Sequence, residues 1–95
     1  MAQLQNFLRQ PSISTVNEGM ETCVDMLRKE LGQLGLETKL LEMEGAFPAV
    51  FATTARKGTK KELFVYNHYD VQDPDPVDRW TAVPFSAEIR DGRIY

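Results

Sequence analysis

The change of hydrophobic period at Gly35 constrains the fold of this chain more than any other feature. Before this glycine, apolar residues are spaced by four, three, four and three positions, which places them on one face of a helix. These residues are Met20, Val24, Leu27, Leu31 and Leu34. After it, residues 36–41 and 48–54 have the alternation and composition of strands, and Gly35 suits the left-handed end of a helix. A helix followed by strands predicts an α/β chain.

Two further patterns predict where the helices begin and end. Apolar residues at helical spacing from Leu4 predict a short first helix, which Pro11 ends at Gln10 because proline disfavours helical geometry before it. Thr15 and Glu18 have the spacing of a capping box, in which the threonine hydroxyl binds a free backbone N–H. We therefore predict that the second helix begins at Thr15.

The remaining strand and turn signals lie in the second half of the chain. Residues 63–66 are a continuous apolar run, which predicts a strand covered on both faces. Residues 85–90 alternate between apolar and polar, and Asp91-Gly92 is a strong signal for a two-residue hairpin turn. The basic run at residues 56–61 predicts a solvated turn, and the prolines and aspartates of residues 71–83 predict a loop.

Size, charge and cysteine content exclude several classes of protein. The 95 residues suffice for one globular domain and are too few for two. With 11 basic and 14 acidic residues the net charge is −3, so the chain lacks the positive surplus of a nucleic-acid binder. The single cysteine, Cys23, cannot close an internal disulfide and is predicted to be buried in the helix. No signal-peptide pattern or membrane-span pattern occurs, so we expect a cytoplasmic chain with neither nucleic acid nor membrane as a partner.

His68 is the strongest candidate for a functional residue. It directly follows the apolar run at residues 63–66, and functional groups collect beyond the carboxyl ends of central strands. In an extended chain His68 and Asp70 point to the same side, so the carboxylate can accept the second imidazole N–H, as it does behind metal-bound histidines. A His-x-Asp pair alone is a weak signal, and a lone histidine is more often structural. Zinc needs at least three protein ligands, and Asp73, Asp75 and Asp78 are candidates by type only, because a solvated turn also explains them.

The order of motifs along the chain closely resembles the start of the dinuclear zinc exopeptidases, which include carnosinase, other dipeptidases, aminoacylase and acetylornithine deacetylase. The similar segments are residues 7–9, 11–14, the helix with Gly35-Leu36, residues 63–72, Asp75-Pro76, Trp80, Pro84-Phe85 and residues 89–95. The His-Tyr-Asp-Val-Gln run is most similar to the carnosinase-type dipeptidases. Asn67 stands where many relatives have glycine, and Asp73 stands where proline is common. These two differences leave the details of substrate recognition undecided.

The resemblance implies that residues 1–95 are the incomplete N-terminal portion of a single metallopeptidase catalytic domain, with an α/β fold of two helices and then a mixed sheet. By the family pattern, His68 is a zinc ligand and Asp70 is the carboxylate that orients it. The family's other ligands and its glutamate general base do not occur in this sequence. The intact site holds two Zn²⁺ ions, with Mn²⁺ or Co²⁺ as alternatives.

The activity implied by the resemblance is hydrolysis of a peptide or amide bond in dipeptides or N-acylated amino acids. A small peptide or acyl-amino-acid substrate and a homodimer of the full-length enzyme follow from the same resemblance. The 95 residues by themselves are expected to be inactive. The alternative is a non-catalytic α/β regulatory or interaction module whose sheet is completed by a partner.

Overall fold

The structure is a computed structural model that describes residues 1–55, 58 and 61–95. Its helices are α1 (Ala2–Leu8) and α2 (Met20–Gln33), and its strands are β1 (Glu37–Leu41), β2 (Ala49–Thr53), β3 (Ile89–Arg90) and β4 (Arg93–Ile94). Short 3-10 helices cover Ser14–Val16 and Val77–Arg79. The two helices and small sheets confirm the predicted α/β class. The predicted basic turn lies mostly outside the described residues.

The chain divides into two compact units. One consists of Met1–Cys23 and Asp70–Tyr95, and the other of Val24–Tyr69. Both strand pairs are antiparallel, β1 with β2 and β3 with β4, and an isolated parallel bridge joins Ile13 to Val71. No helix in the described part of the chain is long and apolar enough to cross a membrane. The assignment of residues 1–95 to a single incomplete catalytic domain stays a prediction.

The predicted start of α2 at Thr15 is wrong, because the helix begins at Met20. Ile13 and Glu18 exchange two backbone hydrogen bonds: the Ile13 N–H donates to the Glu18 carbonyl at 2.9 Å and the Glu18 N–H to the Ile13 carbonyl at 3.1 Å. The Glu18 N–H that a capping threonine would bind is therefore already used. Asn17, with a φ of 54°, makes the reversal inside this tight turn.

Helix α2 ends as predicted. The Leu36 N–H donates to the Leu31 carbonyl at 3.1 Å, and the Gly35 N–H donates to the Gly32 carbonyl at 2.9 Å. This pair of bonds is the Schellman motif, which requires a left-handed residue after the helix. Gly35 supplies it with a φ of 80°.

The apolar stripe of α2 is buried only in its first half. Met20 and Val24 are buried, whereas Leu34 is 76 % exposed. Cys23 is 2 % exposed, which confirms its predicted burial. Burial raises the pKa of the Cys23 thiol above its ordinary value of 9.0, although a hydrogen bond with the Ser12 side chain acts in the opposite direction.

The hairpin of β1 and β2 follows the sequence pattern. Its register runs from Glu37 opposite Thr53 to Leu41 opposite Ala49. Along both strands, half-buried and exposed side chains alternate, as expected for a sheet with one covered face.

The predicted strand at residues 63–66 is wrong. These residues have no regular secondary structure, and Leu63 is 90 % and Val65 75 % exposed. A strand covered on both faces requires neighbouring strands and packed layers. The described part of the chain provides no such neighbours for this run. The segment is fastened just after it, where the Tyr69 hydroxyl donates to the Pro48 carbonyl at 2.9 Å.

The Asp91-Gly92 turn is confirmed, with φ values of 50° and 71° that fit a type I′ hairpin. Strand β3 begins only at Ile89, however, although the alternation predicted extended chain from residue 85. Phe85 and Ala87 have φ values of 60° and 49°, and this left-handed geometry interrupts the extended chain. It also directs backbone carbonyls toward α1, where the Gln5 side-chain amide donates to the Ala87 carbonyl at 3.2 Å.

Candidate functional site

Asp70 is the predicted site residue whose surroundings the structure defines best. Its side chain is half-buried. The Ser14 hydroxyl donates a hydrogen bond to Asp70 Oδ2 at a distance of 2.9 Å. An ionised carboxylate has only acceptors, so the hydroxyl is necessarily the donor in this pair.

A short stretch of parallel pairing brings Ser14 and Asp70 together. The Val71 N–H donates to the Ser12 carbonyl at 2.9 Å, and Ile13 bridges to Val71. Side chains alternate between the two faces of paired extended chains. Ser14 directly follows Ile13, and Asp70 directly precedes Val71, so this pairing brings the two side chains within hydrogen-bonding reach.

His68 is exposed and belongs to the unit Val24–Tyr69, whereas Asp70 belongs to the other unit. The hydroxyl of the next residue, Tyr69, donates a hydrogen bond to the Pro48 carbonyl. The roles of His68 as a metal ligand and of Asp70 as its orienting carboxylate stay predictions.

The described residues fit part of a zinc site and not a whole one. Imidazole and carboxylate are both donor types that zinc accepts, and a zinc site takes at least three protein ligands. Among residues 1–55, 58 and 61–95, no three His, Cys, Asp or Glu side chains are grouped so that they could hold a metal ion. His68 and Asp70 can therefore contribute to a metal site only together with ligands from elsewhere.

The acidic loop after Asp70 is organised by hydrogen bonds between its own side chains and backbone. Asp73 Oδ1 accepts the N–H of Asp75 at 3.0 Å, which is a local turn-forming bond. The indole N–H of Trp80 donates to the Pro74 carbonyl at 2.7 Å and so ties the end of this loop to its beginning. These contacts support a turn rather than a ligand set for Asp73, Asp75 and Asp78.

Ser14 is the residue that the sequence patterns did not single out. It lies between Pro11 and the predicted start of the second helix at Thr15, where no motif of metal or catalytic chemistry occurs. No local pattern points to its contact with Asp70, which lies 56 positions away.

Comparison with known proteins found similar enzymes among the relatives and among the solved structures. No family model matches it. It is 40% identical over 74 residues to a succinyl-diaminopimelate desuccinylase of Dechloromonas aromatica (strain RCB), which covers 77% of this chain and 19% of the relative. The succinyl-diaminopimelate desuccinylase of Caulobacter sp. (strain K31) is 32% identical over 96 residues, which covers 100% of this chain and 23% of the relative.

Among solved structures, an M20 family metallo-carboxypeptidase, Sso-CP2 from Sulfolobus solfataricus, matches with a TM-score of 0.89 and 39% identity. The match covers 99% of this chain and 21% of that chain. The chain thus spans about a fifth of the length of the relatives it matches.

Proposed function

We propose that this chain forms part of a metal-dependent hydrolase of peptide or amide bonds, because it is homologous to the dinuclear zinc exopeptidases. The observation that carries this proposal is the 39% identity to the metallo-carboxypeptidase over 99% of the chain at a TM-score of 0.89. The names of the relatives, desuccinylase and carboxypeptidase, favour small amide-containing substrates. Within that class we propose dipeptides or N-acylated amino acids.

His68 and Asp70 are the residues of this chain that we assign to the site. A divalent metal ion, when bound, polarises a substrate carbonyl and lowers the pKa of water, which is the chemistry that amide hydrolysis needs. His68 would contribute one imidazole ligand to such an ion. Asp70 holds the proton on the other ring nitrogen and thereby fixes the tautomer and the plane of the ring.

For the metal we propose Zn²⁺, two ions in the intact site, with Mn²⁺ or Co²⁺ as competitors. A single imidazole ligand discriminates little among these ions. We further propose a cytoplasmic homodimer that acts on a soluble small substrate. The acidic balance, with a net charge of −3, supports the expectation that nucleic acid is not its partner.

Metal removal and replacement in the full-length protein test the proposal. The protein is stripped with a chelator, reloaded with Zn²⁺, Mn²⁺ or Co²⁺, and assayed with dipeptides, N-succinyl and N-acetyl amino acids. We expect turnover to disappear on chelation, to return with metal, and to be abolished in His68→Ala. Glu62→Gln is the control, because Glu62 is an exposed polar residue a few positions earlier. Turnover that survives both chelation and His68→Ala would refute the assignment.

The chain of residues 1–95 provides a second test. Because the described residues do not assemble a complete metal site, this chain alone is expected to show no metal-dependent turnover. Turnover by these residues that is lost in His68→Ala would overturn the proposal that further ligands are required. An inactive full-length protein that binds a partner through this region would favour the non-catalytic module instead.

A further inference from the structure

We propose that Ser14 is a positioning residue for the metal site, acting through Asp70. The inference rests on the proposed function, because it assigns Ser14 to the residue that we propose orients His68. Its structural basis is the 2.9 Å hydrogen bond from the Ser14 hydroxyl to Asp70 Oδ2, between residues that are 56 positions apart in the sequence.

The hydroxyl is delivered from a fixed backbone. Ile13, the residue before Ser14, bridges to Val71 and exchanges two backbone hydrogen bonds with Glu18. Ile13 is also one of the buried core residues. A hydroxyl on such a backbone holds its position, whereas a hydroxyl on a loose loop would have to be ordered each time it binds.

The hydrogen bond restricts the torsion that sets the plane of the Asp70 carboxylate. The last torsion of an aspartate side chain is broad, so a carboxylate without partners can rotate over a wide range. A donor fixed on Oδ2 selects one orientation of the carboxylate plane. That plane sets the direction in which Asp70 can accept an imidazole N–H, and the ring direction in turn decides how the other nitrogen meets a metal ion.

The size of the effect follows from what outer contacts contribute in metal sites. Loss of a partner that orients a metal-bound histidine typically costs about 10–100-fold in metal affinity or activity. Ser14 acts one contact farther from the metal than Asp70 does. We therefore expect a loss of about 10-fold, at the lower end of that range.

The test measures metal affinity in the full-length protein. Stripped protein is titrated with Zn²⁺ and with Co²⁺ against a chromophoric chelator, for the unchanged protein and for Ser14→Ala, Ser14→Thr and Thr15→Ala. Ser14→Thr keeps the hydroxyl, and Thr15→Ala removes an exposed hydroxyl from the same turn. We expect Ser14→Ala to bind both metals about 10-fold more weakly, and Ser14→Thr and Thr15→Ala to bind as the unchanged protein does.

A second background separates positioning from general stability. In Asp70→Ala the acceptor is removed, so Ser14→Ala should cause no further loss of metal affinity there. Unchanged metal affinity in Ser14→Ala, or equal losses in Ser14→Ala and Ser14→Thr, would overturn the inference. A full additional loss in the Asp70→Ala background would overturn it too, because Ser14 would then act independently of Asp70.

The two proposals fail in different ways. If His68→Ala leaves metal binding and turnover intact, the proposed function is wrong. If His68→Ala abolishes both while Ser14→Ala changes neither, the proposed function stands and only the role of Ser14 is refuted.

Discussion

Replacing Gly19 with alanine is the sharpest test of the turn that presents Ser14. Gly19 has a φ of 71°, and a Cβ atom built there would overlap the Pro11 carbonyl oxygen and lie 2.8 Å from the Pro11 carbonyl carbon. Both contacts are with backbone atoms, so no side-chain rotation can relieve them. The Gln10 side-chain amide crosses the same gap, donating to the Pro11 carbonyl at 2.9 Å and the Gly19 carbonyl at 3.3 Å.

Two costs add in the Gly19→Ala protein. A non-glycine residue in left-handed geometry costs about 1–2 kcal/mol. Relieving an overlap with packed backbone costs about 1–3 kcal/mol. The reduced freedom of the unfolded chain returns about 0.4–1 kcal/mol. We therefore expect Gly19→Ala to lower the free energy of unfolding by about 1–4.5 kcal/mol.

Alanine substitutions at two other glycines separate the cost of left-handed backbone geometry from the cost of the close contact with Pro11. Gly35→Ala meets the same geometry, with a φ of 80°, but no atom within 4 Å. Only the conformational cost of about 1–2 kcal/mol applies there, less the same return of about 0.4–1 kcal/mol from the unfolded chain. Gly32→Ala lies within α2 with no atom within 4 Å and should stabilise the protein by about 0.5–1 kcal/mol.

Urea denaturation followed by far-UV circular dichroism gives the three free energies on one scale, and the slope of each transition checks that the same surface unfolds. The expected order of stability is Gly32→Ala, unchanged protein, Gly35→Ala and Gly19→Ala. The reasoning is refuted if Gly19→Ala is no less stable than Gly35→Ala, because the close approach to Pro11 would then carry no cost.

Three further substitutions probe single contacts. Tyr69→Phe removes the hydroxyl that donates to Pro48 and should lower the free energy of unfolding by about 0.5–1.5 kcal/mol in the same urea assay; an unchanged midpoint would contradict that contact. Ser86→Ala should be neutral or stabilise by up to about 1 kcal/mol, since the buried Ser86 hydroxyl has no hydrogen-bond partner among the described residues; a clear destabilisation would reveal a partner. Cys23 has a thiol pKa raised by burial, so its contribution to stability is complete below 9.0 and is lost as pH rises through the folded-state pKa. Urea titrations from neutral to alkaline pH should therefore show a steeper alkaline decline than in Cys23→Ala, and equal declines would contradict the shift.

The signals that predicted structure correctly are those whose cause is local. Gly35 and Asp91-Gly92 act through the backbone geometry that glycine and aspartate allow, and neighbouring residues do not change that preference. The Thr15 capping box failed because its N–H groups could also pair across a turn, and Ile13 took the Glu18 N–H. Sequence spacing describes which bonds are possible and does not decide between competing ones.

For the candidate site the same distinction applies. His68 and Asp70 were found because they are two positions apart in one motif, which a sequence displays directly. Ser14 was missed because its contact with Asp70 spans 56 positions and depends on the parallel pairing of Ile13 with Val71. The strand at residues 63–66 was predicted from composition alone and is wrong, because no described residues pair with this run.

The two residues of the His-x-Asp motif are consequently held by different means. Asp70 is fixed by contacts of its own unit, namely the Ser14 hydroxyl and the hydrogen bond from the adjacent Val71 N–H to Ser12. His68 follows an exposed apolar run that has no strand partners among the described residues. A strand at this run would need sheet neighbours on both sides, which the described residues do not supply. The described contacts therefore determine the geometry around Asp70 more completely than the geometry of the run that leads to His68.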